Sequence, residues 1–112
     1  MRIVNREAFL ALPAETLFSK YEPCVFEDFC IKGDTLGNDF LYQSITDAIN
    51  CESSEAFNDA LERAEVKKES LSLDFDCQGR DGCFDADQLF AVWEKADVEA
   101  LIGRLQRVRD VA

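Results

Sequence analysis

The sequence predicts an α+β fold, with a mostly antiparallel sheet of about four strands and helices packed on one face. Three observations carry this. Apolar residues make up 47% of the 112 positions and include nine Phe, enough to fill a core. The segments with period-two alternation are short and are separated by Gly, Pro, Asn and Asp. Helical stripes lie at both ends and in the middle, so the whole reads as a single α+β domain over residues 1–112.

Asn5 is a good N-cap, and Arg6 to Leu12 reads as a short helix ended by Pro13 and its neighbours. Thr16 to Tyr21 alternates, with Leu17, Ser19 and Tyr21 on one face and Thr16, Phe18 and Lys20 on the other. Val25 to Lys32 favours extended chain too, and the Glu22-Pro23 step between these runs fits a hairpin connection because Pro cannot donate to a ladder. Gly33 to Asn38 has turn chemistry and reads as an exposed loop. From Asp39 to Ile49 the stripe of Leu41, Ile45, Ala48 and Ile49 favours a helix.

Ser53 or Ser54 then caps a helix running to about Val66, whose core-facing stripe is Ala56, Phe57, Ala60, Leu61 and Ala64. Ser70 to Cys77 has the cleanest strand pattern, with Leu71, Leu73, Phe75 and Cys77 alternating against polar residues. Gln88 to Glu94 contains LFAVW, apolar on both faces as in a central strand, and this favours core positions for Phe90 and Trp93 over a partner-binding anchor. Asp97 caps the last helix, which carries Val98, Leu101, Ile102, Leu105 and Val108 on one side and Arg104, Arg107 and Arg109 near its end.

The chemistry is bounded by what is missing. There is no His, so the commonest general base and metal ligand is absent, and no Gly-rich phosphate loop or G-x-S-x-G is present. The expectation is a non-catalytic protein with no cofactor. Five Cys occur without an export signal, so reduced thiols are expected. Cys24/Cys30 and Cys77/Cys83 repeat a C-x5-C spacing, wider than the two to four residues usual for zinc pairs. No apolar stretch is long enough to span a bilayer, and the cytoplasm is the expected location.

The run from Asp74 to Asp85 sets acids at positions one, three and twelve with Gly at six, echoing an EF-hand calcium loop. Gln78, Asp81 and Asp85 depart from that pattern, and a solvated strand connection is favoured over a calcium-binding regulatory domain. Asp85 and Asp87, with Asp81 nearby, also form a candidate carboxylate set for Mg²⁺ or acid-base work, a pattern frequent in any acidic chain.

The net charge is -11, and between Glu22 and Glu62 ten acids face Lys32 alone. Direct binding to nucleic acid is disfavoured, because that affinity comes from Lys and Arg displacing counterions. A basic protein or nucleoprotein complex is the partner such charge suits, although acidity also serves solubility alone. The candidate partner-binding acids are Glu22, Glu27, Asp28, Asp34 and Asp39 in a first cluster and Asp74, Asp76, Asp81, Asp85 and Asp87 in a second, all expected to be exposed.

The stretch FLALPAETLFSKYEPCVFEDFCIKGDTLGNDFLYQ, together with DQLFAVWEKADVEALIGRLQ, resembles small acidic hypothetical proteins encoded in bacteriophages and prophages. The resemblance implies a counter-defence role in the host cytoplasm, such as anti-CRISPR or anti-restriction inhibition by nucleic-acid mimicry. The sequence is accordingly read as an acidic inhibitor or regulator of a basic, nucleic-acid-binding partner.

Overall fold

A computed structural model describes all 112 residues. The strands are β1 (Arg2–Val4), β2 (Thr16–Glu22), β3 (Val25–Phe26), β4 (Cys30–Leu36), β5 (Asp39–Ser44), β6 (Gly79–Arg80) and β7 (Leu89–Val92), and the helices are α1 (Arg6–Leu10), α2 (Ser54–Val66) and α3 (Lys95–Val111). All seven strands join one antiparallel sheet, in the order β1-β7-β2-β4-β5-β6 with β3 paired to β2. The α+β class and the antiparallel sheet are as expected, but there are seven strands rather than about four.

Alternation sorts the side chains into two faces. Phe18 and Lys20 of β2, Cys30 and Lys32 of β4, Phe40 and Tyr42 of β5, and Phe90 and Val92 of β7 share the core face. Asn5 caps α1 by accepting the Ala8 N–H, and α1 lays Phe9 onto this face. The Phe9 ring stacks on Phe90 at 3.9 Å between centroids and meets Phe18 at 4.7 Å and Phe40 at 5.0 Å. On the opposite face Ser19 and Ala91 are buried, and Trp93 is half-buried against Phe29, with centroids 4.6 Å apart.

β7 is flanked by β1 and β2, as expected for a strand apolar on both faces. The predicted hairpin forms, turning at Pro23 and Cys24, where Cys24 has φ +66°. The expected loop at Gly33–Asn38 is instead the end of β4, with a bulge between Lys32 and Thr35 and a turn at Gly37, whose φ is +61°.

Two further expectations are overturned. Residues 39–44 form a strand, because β4 offers them a free edge and Phe40 and Tyr42 both reach the core face, whereas the helical stripe is too short to hold by itself. Ser70–Cys77 makes no strand: Asp74 closes a local turn by accepting the Asp76 N–H, its backbone bonds Ala48 and Gln43, and Leu73 and Phe75 remain exposed. Alternation alone does not make a strand without an edge to pair with.

α2 follows the predicted span, with the Ser53 hydroxyl accepting from the Ala56 N–H; Ala60 is buried, whereas Leu61 is exposed. α3 begins two residues before Asp97, which accepts the Glu94 N–H at 2.9 Å and the terminal amine of Met1 at 2.5 Å. It buries no residue fully and leaves Ile102, Leu105 and Val108 exposed. No helix is long and apolar enough to cross a membrane.

Candidate functional site: an acidic sheet end and the cleft beneath it

The antiparallel registers bring distant acids to one end of the sheet. β2 finishes at this end and β4 begins there, so the connection carrying Glu22, Glu27 and Asp28 lies at it. β5 also finishes there, followed by Asp47, and β7 begins there, preceded by Asp85 and Asp87. The approach to β6 brings Asp74 and Asp76 alongside, with Asn50 donating to the Asp74 carboxylate at 3.0 Å. Gln88 ties the second segment to the first by donating to the Tyr21 carbonyl at 3.0 Å. Seven of these acids come from the two predicted clusters, and Asp74 alone of the seven is not fully exposed. Asp47 was missed as a site residue; its place follows only from the course of β5. Asp34 is exposed, but lies toward the opposite end, in the β4 bulge.

Asp39 and Asp81 are not surface acids, contrary to expectation. Asp39 is 1% exposed and accepts from the Gly82 and Phe40 N–H groups and from Arg80 Nε. The Gly82 hydrogen bond leads these contacts in holding its carboxyl below the usual range, against the opposing effect of burial. The Asp81 side chain is 2% exposed, with Lys20 Nζ at 2.6 Å and Arg6 Nη1 at 3.9 Å. Burial alone would lower the Lys20 pKa, but the hydrogen bond and charge of Asp81 outweigh it and raise the value. A carboxylate desolvated this far needs cations or N–H donors beside it, and both residues find them inside.

The same pairing draws several cations inward. Of the eight basic residues before α3, Arg6 and Lys20 face Asp81, and Lys32 is fully buried with its ammonium on the Gly33 carbonyl and the Thr35 hydroxyl, whereas Arg80 pairs with Asp39 but leaves its side chain 64% exposed. Four of the remaining basic residues lie on α3. None of the eight acids at the sheet end is ion-paired, and Arg80 lines a pocket with two of them, Asp28 and Asp47.

Beneath it lies a cleft of about 150 Å³ lined by Phe18, Lys20, Glu27, Asp28, Cys30, Phe40, Tyr42 and Asp81. Burial first, then the charges of Asp28, Asp47 and Glu27, push the Cys30 thiol up to about 11 against the opposing effect of Lys20. Burial likewise raises the Tyr42 hydroxyl. Both groups are neutral at pH 7, so the cleft holds neither a thiolate nucleophile nor a phenolate base. The sequence hinted at this cleft only through Lys20, a cation on the Phe18 face of an alternating strand. No group of three or more His, Cys, Asp or Glu side chains is gathered to hold a metal ion, and the acids of the Asp74–Asp85 run point to separate partners.

Comparison with protein families, with curated proteins and with solved structures finds no match to this chain in any of the three.

Proposed function

We propose that this protein is a non-catalytic acidic interaction protein that occupies the nucleic-acid-binding surface of a basic partner and thereby inhibits or regulates it. The observation that carries the reading is the division of charge: eight acids gathered at one sheet end, while Arg6, Lys20 and Lys32 are committed to internal contacts. Carboxylates gathered at one sheet end present a partner's Lys and Arg side chains with dense negative charge, and compete with phosphate by the same counterion physics. The resemblance to phage proteins fits the same role, a small inhibitor of a bacterial nuclease, restriction or CRISPR complex.

The test is capture of a basic nucleic-acid-binding complex from bacterial lysate on the immobilised protein. Release by added DNA is expected, and so is release near 1 M salt, where the screening length falls to about 3 Å. Replacing Glu22, Glu27, Asp28, Asp85 and Asp87 by Lys is expected to abolish capture. Capture that survives the charge reversal overturns the reading.

A further inference from the structure

We propose that the cleft beneath the acidic sheet end is a receptor for a single arginine side chain presented by the partner. In naming a basic protein as the source of that side chain, the inference rests on the function proposed above. At about 150 Å³ the cleft is smaller than the roughly 300–1,000 Å³ of small-molecule sites and is on the scale of one side chain. Its lining combines two chemistries. Tyr42 supplies half-buried aromatic surface, on which a guanidinium stacks more readily than a compact, strongly hydrated ammonium, and the core rings of Phe18 and Phe40 back the cleft without being open to it. Glu27 and Asp28 stand exposed at the rim with no cation paired to them, and a carboxylate accepts a guanidinium fork through two parallel hydrogen bonds.

The cleft's own cation does not fill this role. Lys20 is held by Asp81 at 2.6 Å, and the four charged lining residues, one Lys and three acids, leave a net charge of -2. The neutral Cys30 thiol and Tyr42 hydroxyl report the same environment. Burial is the first cause of both shifts, and at Cys30 the negative field of Asp28, Asp47 and Glu27 adds to it, a field that repels an anion and attracts a cation. An arginine entering here lies against Tyr42 while its charge meets the rim, the arrangement that makes arginine a frequent interface anchor.

The experiment uses the isotopically labelled full chain at low salt and needs no partner. It is titrated with N-acetyl-arginine amide and, separately, with the uncharged citrulline isostere, and amide and aromatic NMR shifts are followed. Saturable shifts at Lys20, Asp28 and Tyr42 are expected, with a midpoint of about 1 mM for arginine and at least about tenfold weaker binding for citrulline. Glu27→Gln with Asp28→Asn changes two exposed side chains, so the fold is expected to hold while arginine binding weakens by about fivefold or more. Equal shifts from arginine and citrulline, no saturable shift, or binding indifferent to the rim variant each overturn the proposal. The two readings fail separately. Salt-sensitive capture of a basic complex without arginine-specific shifts keeps the acidic end and loses the cleft, whereas arginine-specific shifts in a protein that captures nothing basic do the reverse.

Discussion

Replacing Asp81 by Asn and Lys20 by Met, singly and together, tests whether the pair that draws the Gly79–Gln88 segment across the core face is a real energetic tie. The Lys20 Nζ and Asp81 Oδ1 atoms are 2.6 Å apart, with side-chain exposures of 24% and 2%. At an effective dielectric of about 20 the bare attraction at that distance is about 6 kcal/mol, most of which is offset by desolvation. An exposed pair couples by about 0.2–1 kcal/mol, and breaking a fully buried one costs about 3–5 kcal/mol. This pair is buried on one side only, which places its coupling energy near 2 kcal/mol. Each single variant is expected to lose about 2–3 kcal/mol in urea unfolding, Lys20→Met being cushioned by Arg6 at 3.9 Å, and the double variant to lose less than the sum. Additivity within about 0.5 kcal/mol means that the two side chains are not coupled and that the pair is no energetic tie.

Three further outcomes follow from the packing and the titrating groups. Phe9→Ala removes the ring stacked on Phe90 and is expected to cost about 3–5 kcal/mol in denaturant unfolding; a cost below about 1 kcal/mol means that α1 is not seated on the sheet. At pH 8, iodoacetamide is expected to label the exposed Cys24 and Cys83 well before Cys30, whose value of about 11 against the ordinary 9.0 leaves about a hundredfold less thiolate; equal labelling rates by peptide mass spectrometry contradict this. Lys32 has its pKa lowered by burial, with the Asp34 charge opposing, so the charged form costs stability below the folded-state value and the cost fades as pH rises from there through 10.5. Lys32→Met is therefore expected to be neutral or about 1 kcal/mol more stable at pH 7 and to lose that advantage in the alkaline window; a less stable variant at pH 7 refutes this.

Local chemistry was legible wherever it decided the outcome. The caps at Asn5 and Ser53, the Phe18/Lys20 face of the first long strand, the hairpin at Pro23 and the doubly apolar LFAVW strand all follow from side-chain periodicity and turn residues, and all are present. Asp39–Ser44 is a strand against a pattern that favours helix, because its stripe extends into Ile45–Ile49 while the deciding fact is the open edge of β4. Ser70–Cys77 was misread for the opposite reason, since a good alternation found no edge and its Asp74 satisfied the backbone locally. The acids show the same limit: Asp39 and Asp81 look like their neighbours in the sequence, yet each is desolvated beside cations from elsewhere in the chain.

Some properties are carried by the chain whatever its fold: a net charge of -11, no His, and acids concentrated in a few runs. These are additive properties, carried by each residue wherever it lies. Which charges remain outside and which meet is set by the fold, because it depends on strand registers and crossovers linking residues far apart in the chain. The pairing of Lys20 with Asp81, the burial of Asp39 and the gathering of Glu22, Asp28, Asp47 and Asp87 at one end are consequences of topology, which no local pattern encodes.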